Sequence, residues 1–210
     1  MLDLSIEKIY YGRKTILKNI NLNFKNTGLY GFFGKNGSGK TTFLKTFIKT
    51  VSFDGKIKLN GKDFSEKNVA WIPTEPFLYE YLTIKEFYDF YAFTVKDLPV
   101  QSDFVFDIDS SKLLKECSTG TKKKAYINAV LQYTNYNLYI FDEPFNGLDI
   151  ESNYILLKKI IDLSKENIVF ISSHIIEIIE PYLEEKYFVE NSELLRIDDH
   201  VDIKNRFINE

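Results

Sequence analysis

The nine residues "GKNGSGKTT", Gly34 to Thr42, satisfy the pattern G-x-x-x-x-G-K-[ST]. They follow the short apolar run "GLYGFFG" and open "GKTTFLKTFIK", which sets Phe43, Leu44, Phe47 and Ile48 at helical spacing. A buried strand, a glycine-rich turn and a helix in that order make a loop that cradles phosphate. Within it, Gly34, Gly37 and Gly39 let backbone N–H groups curl around phosphate oxygens, with Asn36 and Ser38 between them. Lys40 can reach the β- and γ-phosphates of a nucleotide, and Thr41, followed by Thr42, can offer its hydroxyl to Mg²⁺.

The rest of the chain extends this unit. Two further buried strands are expected at "NLYIF", Leu138 to Phe141, and "NIVFIS", Ile168 to Ser172, with the helical "ESNYILLKKIIDLS" between them. Such alternation predicts an α/β fold with a parallel, helix-flanked sheet. The opening segment alternates through Leu2, Leu4 and Ile6, and again through Ile16, Ile20, Leu22 and Phe24, which predicts antiparallel strands. In "LTIKEFYDFYAF", Thr83 and Glu86 form a capping box, and Ile84, Phe87, Tyr88 and Tyr91 share one helical stripe. Phe90 and Phe93 lie off it, so this aromatic helix reads either as a docking surface or as ordinary core. After Glu190 a short strand pair and a polar tail are expected.

A second chemical feature is "LYIFDEPFNGLD", where an apolar strand ends in Asp142 and Glu143. Alone, such a pair is a common solvated turn. At the carboxyl end of a parallel strand, beside a phosphate loop, it faces the ligand crevice. There Asp142 can hold Mg²⁺ through water, and Glu143 can orient or deprotonate the water that attacks the γ-phosphate.

A third is "KECSTGTKKKAY", Lys115 to Tyr126. Ser118 is a good helix N-cap, Gly120 and Thr121 leave backbone N–H groups uncrowded, and Ile127, Val130 and Leu131 carry the helix onward. The three lysines are about 100° apart around the helix, so they cannot all address one anion and most are expected to be solvated.

Composition narrows the partners. With 210 residues, 44% of them hydrophobic, a sizeable core is available. The formal charge of -3, from 27 basic and 30 acidic residues, gives no electrostatic case for nucleic acid, and none is expected as a partner. Cys117 is the one cysteine, which suits a reducing compartment such as the cytoplasm. No apolar run approaches the roughly 18–20 residues that span a bilayer, and the start lacks the pattern of a leader. Work at a membrane would therefore need another chain to cross it.

Taken together, these segments resemble the ATP-binding subunits of ATP-binding cassette (ABC) transporters, of the small single-cassette bacterial type, over nearly the whole sequence. "GKNGSGKTT" resembles the family's Walker A loop, "LYIFDE" its Walker B strand, "NGLD" at Asn146 to Asp149 its D-loop, and "SSH" ending at His174 its switch histidine. "CSTGT" lies where the family carries its Leu-Ser-Gly-Gly-Gln signature, matching at Ser118 and Gly120 and departing at Cys117, Thr119 and Thr121.

The resemblance implies a single ABC-type P-loop NTPase domain over 1–210, with a mostly parallel core sheet, an antiparallel β region and a reduced helical subdomain at roughly 76–134. It implies ATP and Mg²⁺ as ligands, Tyr11 stacking on adenine, His174 contacting the γ-phosphate, and Ser118 and Gly120 acting on ATP held by a second subunit. In "VAWIPTEPFLY", Thr74 replaces the family's glutamine, which puts a metal contact there in doubt. The implied activity is ATP hydrolysis driving transport through a separate membrane-spanning subunit, by ATP-driven homo- or heterodimerisation, at the inner face of the cell membrane. A regulatory ATPase module, for which dimerisation matters more than turnover, is the alternative. A kinase would leave His174 unexplained, and a GTPase would lack the N-K-x-D guanine-reading motif.

Overall fold

A computed structural model describes residues 1–95, 98–100, 103–174 and 176–198. The order of elements is β1 (Leu2–Tyr11), β2 (Lys14–Phe24), β3 (Gly28–Phe33), α1 (Lys40–Lys45), β4 (Ser52–Leu59), β5 (Lys62–Asp63), β6 (Val69–Ile72), α2 (Ile84–Thr94), α3 (Thr119–Leu131), β7 (Leu138–Asp142), α4 (Ile150–Ser164), β8 (Ile168–Ser172), α5 (Ile176–Ile179), β9 (Leu183–Glu190) and β10 (Glu193–Ile197). They form two sheets. One runs β2-β1-β4-β5 and is antiparallel; the other runs β10-β9-β3-β8-β7-β6. In the second, β9, β3, β8, β7 and β6 are mutually parallel and β10 turns back antiparallel on β9.

The central strands are apolar on both faces because both are covered. Tyr30, Phe32, Leu138, Ile140, Ile168 and Phe170 point into a core shared with the antiparallel sheet and α1, where Phe43 and Phe47 pack around Phe170. Leu29, Phe33, Tyr139, Phe141, Val169 and Ile171 point the other way, against Ile127 and Val130 of α3 and Leu156 and Ile160 of α4. This alternation has a functional consequence. Asp142 and Ser172, at the ends of their strands, continue the α1-facing parity, and so emerge beside the phosphate loop.

Between β6 and β7 the chain leaves the sheet to build α2, α3 and their connections. Ile84, Phe87 and Tyr88 of α2 meet Leu114, Ala125 and Ala129 in a third, smaller core. The Thr83–Glu86 capping box is present, and Phe90 and Phe93 are exposed as their position off the stripe predicts. Residues 96, 97, 101 and 102 of the expected 76–134 unit lie outside the described residues.

Three details differ from the periodicity. In β2 the buried residues are Leu17, Ile20 and Phe24, not Ile16 and Leu22. Asn19 adopts φ 55, and the β1–β4 pairing slips between Ile6 and Lys8, so burial changes parity at that irregularity. The helix after the phosphate loop tightens into a 3₁₀ turn at Thr46–Ile48 and stops at Lys49, whose φ is 52. The terminal strand pair straddles Asn191 and Ser192 rather than following Glu190, since both turn residues have positive φ. The expected polar tail, 199–210, lies outside the described residues.

Candidate nucleotide site

The C-terminal ends of β3, β8 and β7 lie side by side, in register from Phe32 to Ser172 and from Ser172 to Asp142. In an open parallel sheet this is where ligands bind. The loop after β3 turns at Lys35, whose carbonyl accepts from the Ser38 N–H at 3.1 Å. It enters α1 through Gly39 at φ 116, a conformation costly for any residue with a Cβ; a Cβ there would also stand 3.1 Å from Ile16 Cγ2. The first N–H groups of α1 thus face the crevice without intrahelical acceptors.

Lys40 folds back over the loop, its Nζ donating to the Gly34 and Lys35 carbonyls at 2.7 and 3.2 Å. It is almost fully buried. Burial lowers its pKa, and the nearby Glu143 and Asp142 carboxylates oppose that shift. The Ser38 Oγ is buried with no protein partner. An orphaned hydroxyl and an ammonium spanning a loop of glycines are groups that an anion would satisfy.

Three hydroxyls converge on Asp142. Thr41 Oγ1 donates to its two oxygens at 3.0 and 2.9 Å, Ser172 Oγ to Oδ1 at 2.7 Å, and Thr74 Oγ1 to Oδ2 at 3.3 Å. A buried carboxylate beside a helix-terminal threonine is a donor set of hard oxygens, which suits Mg²⁺. Thr74 is therefore within reach of the same carboxylate.

Glu143 is buried and has φ 49, a left-handed conformation that costs an L-residue about 1–2 kcal/mol. Three sets of contacts hold it there. Its N–H donates to the Ser172 carbonyl at 3.1 Å and to Ser172 Oγ at 3.0 Å. Its carbonyl accepts from Lys123 Nζ at 2.9 Å. Its carboxylate accepts from the His174 N–H at 3.2 Å, and the imidazole Nε2 lies 3.0 Å from Oε1. Burial raises the Glu143 pKa, with His174 and then Lys40 as the main opposing influences. A carboxylate raised toward neutrality is a better proton acceptor than an ordinary surface glutamate.

These groups surround a cavity of about 480 Å³, large enough for a nucleotide triphosphate tail. Asn36, Gly37, Gly39, Lys40, Thr41, Thr42, Thr74, Glu143 and His174 line it, joined by Ile16 and Asn146. Tyr11 does not line it; that residue is half exposed at the β1–β2 hairpin. Ser118 and Gly120 do not line it either. Ser118 caps α3, its Oγ accepting from the Thr121 N–H at 3.1 Å. At Gly120 an added Cβ would stand 2.9 Å from the Gly147 carbonyl oxygen, so the absence of a side chain is what lets the 146–149 loop pack on α3.

The lysine run departs from the expectation of solvated side chains. Lys122 pairs with Glu80 at 2.8 Å and Lys124 with Asp149 at 2.9 Å, while Lys123 is buried and donates to the carbonyls of Thr74, Glu143 and Asn146. The 100° steps that keep the lysines from sharing an anion instead send each to a different neighbouring segment. Burial lowers the Lys123 pKa to about 8 against the pull of Glu143, Asp142 and Glu75. Ser172, Ile16 and Lys123 are site residues that sequence reasoning missed, and Asn146, read there only as the start of "NGLD", also lines the cavity. For Ser172 a usable signal existed: a polar residue ending a buried strand on the same parity as Asp142.

Comparison with known proteins gives one family. The sequence matches the family described as ABC transporter over residues 17–146. It is 31% identical to the bacitracin transport ATP-binding protein BcrA of Bacillus licheniformis, over 93% of this chain and 69% of that protein. It is also 31% identical to the lantibiotic transport ATP-binding protein SrtF of Streptococcus pyogenes, over 86% of this chain and 82% of that one. Its fold superimposes on a solved structure described as the ATP binding subunit of an ABC transporter, with a TM-score of 0.84, 24% identity, and coverage of 100% of this chain and 98% of that one.

Proposed function

The chain belongs to the ABC transporter family, and from that premise we propose that it is an ATP-binding and ATP-hydrolysing subunit that powers transport through a separate membrane-spanning chain. The observation that carries the reading is the joint placement of Lys40, Thr41, Glu143 and His174 around one cavity, with Asp142 bonded to Thr41 behind it.

In this reading the phosphate loop binds the triphosphate, with Lys40 leaving its loop carbonyls for the β- and γ-phosphates. Mg²⁺ held by Thr41, and by Asp142 through water, would neutralise charge that builds on the phosphates. Glu143 orients the attacking water and takes its proton, His174 holds Glu143 and meets the γ-phosphate, and Tyr11 stacks on adenine. Ser118 and the N–H groups at the start of α3 act on ATP held by an opposing subunit, so that two copies or two related chains close around two nucleotides. The unit at 76–134 serves as the helical subdomain.

Among the described residues no helix is long and apolar enough to cross a membrane, so the crossing is assigned to a partner. Beside α2, a groove of about 830 Å³ is lined by Pro76, Phe77, Tyr79, Tyr81 and Phe90, several of them exposed aromatics. Its composition suits an apolar helix or loop of that partner, at the inner face of the membrane. Because BcrA and SrtF are named for bacitracin and lantibiotic transport, bacitracin and a lantibiotic are the cargoes to test first.

The deciding experiment co-expresses the chain with a multi-span membrane protein encoded beside it and purifies the pair in detergent or nanodiscs. ATPase activity that co-purifies with the pair and responds to cargo is the expected result. A chain that purifies alone from every such pairing, with turnover indifferent to the membrane protein, would contradict transport.

A further inference from the structure

We infer that Lys123 is a positioning residue for ATP hydrolysis: from α3 its ammonium ties the loop after β6, the Glu143 peptide and the 146–149 loop into one unit that holds Glu143 in its working geometry. The inference rests on the proposed catalytic role of Glu143.

The geometry is complete at the ammonium. Lys123 is 2% exposed, and its three N–H donors meet three main-chain oxygens: Glu143 at 2.9 Å, Asn146 at 2.9 Å and Thr74 at 3.2 Å. A lysine needed only to fill space would be replaced at lower cost by an apolar side chain, since burying an ammonium is unfavourable unless it is fully bonded. What the charge provides is specific. It holds carbonyls, which no apolar residue can do, and each of the three belongs to a different part of the cavity wall.

The Glu143 peptide is where this matters most. That residue is left-handed at φ 49, and its N–H is fixed by Ser172 on β8. Its carbonyl is held by Lys123 on α3 at 2.9 Å, with the Asn146 N–H as a second, longer donor at 3.3 Å. Without Lys123 the carbonyl keeps only the longer bond from the Asn146 N–H, at 3.3 Å within the same turn, so the peptide can relax toward ordinary backbone angles and the carboxylate would rotate away from its place beside His174. Lys123 also lies five residues beyond Ser118 on the same rigid helix, so a shift of the α3 start is delivered to Glu143 through a single side chain. The neighbouring lysines do not duplicate it, since Lys122 holds Glu80 and Lys124 holds Asp149.

The test is Lys123→Met, which keeps the stem and removes the ammonium. Nucleotide affinity is expected to stay within about twofold, whereas kcat falls at least tenfold; Lys123→Arg recovers part of the loss. Because Lys123 acts through Glu143, Lys123→Met added to Glu143→Gln should be no slower than Glu143→Gln alone. Parental kcat in Lys123→Met, or losses that multiply in the double variant, would overturn the inference. Hydrogen exchange of the nucleotide-free protein gives a second readout, independent of turnover. Amides over 143–149 and 74–77 should exchange faster in Lys123→Met while β7 and β8 stay protected, and unchanged exchange there contradicts the tie. Where Lys123→Met does not fold, Lys123→Gln, with two donors in place of three, carries the same measurements. A parent without ATPase activity would count against the catalytic reading of the cavity, and the exchange data would still decide whether Lys123 holds the three segments together.

Discussion

His174 stands against both carboxylate oxygens of Glu143, its backbone N–H donating to Oε2 at 3.2 Å and its imidazole Nε2 lying 3.0 Å from Oε1 as a close contact rather than a hydrogen bond. The carboxylate is thereby aimed rather than merely present. His174→Ala removes the imidazole contact and keeps the backbone one. Turnover should fall by about 10²-fold, within the range for a general-base arrangement, with little change in ATP affinity. Steady-state kinetics with a separate nucleotide titration checks both halves.

Lys40, on α1, lines the cavity and donates to the Gly34 and Lys35 carbonyls. Lys40→Ala should lower MgATP affinity at least tenfold, because water cannot replace a charge-assisted contact at equal strength. Calorimetric titration with a slowly hydrolysed ATP analogue measures this without turnover.

Ser172 serves two buried partners, donating to Asp142 and accepting from the Glu143 N–H. Ser172→Ala removes one partner from each, while the Glu143 N–H keeps the Ser172 carbonyl and Asp142 keeps Thr41 and Thr74. A loss of about 0.5–1.5 kcal/mol in unfolding free energy is expected by urea titration, together with slower turnover. Ser172→Cys keeps the connectivity but replaces the hydroxyl with a larger, weakly bonding thiol, and should recover only part of each.

Variants at Ser118 and Gly120 can separate the proposed contact in trans from local packing. A Cβ at Gly120 meets the Gly147 carbonyl oxygen at 2.9 Å, so even Gly120→Ala displaces the 146–149 loop, and any acidic substitution there confounds charge with crowding. Ser118→Ala is the cleaner variant. It removes an N-cap worth about 1 kcal/mol and should leave ATP binding by the single chain intact while weakening the ATP-dependent dimer. Light scattering in a Glu143→Gln background reads the dimer directly, and an unchanged dimer would return Ser118 to a purely local role.

Much of this architecture is legible along the chain, for physical reasons that differ by segment. The phosphate loop and the strands at 138–142 and 168–172 announce themselves because glycine placement and uninterrupted apolar runs are local properties. The capping box at Thr83 and Glu86 is local too. The parity change near Asn19 is not, since it lies opposite the stretch of β1, between Ile6 and Lys8, where the pairing of β1 with β4 slips. The region 52–72 carries weak alternation, so β4, β5 and β6 are defined by their partners rather than by their own pattern. Lys123 illustrates the limit most clearly. Nothing in "KKK" distinguishes the middle lysine from its neighbours, and only the packing of α3 against β6 and the loop after β7 sends one of the three inward. Thr74 likewise reads as a departure from a glutamine, whereas its hydroxyl in the folded chain stands on Asp142.

Catalysis through Glu143 is measured most directly as phosphate release from MgATP by the purified chain beside its Glu143→Gln variant, each with bound nucleotide quantified in the same samples. Hydrolysis by the parent, slowed about 100-fold or more in Glu143→Gln while that variant retains ATP, is the result predicted. Equal rates in the two proteins would contradict it, because hydrolysis would then owe nothing to the carboxylate that Ser172, Lys123 and His174 hold over the phosphate loop.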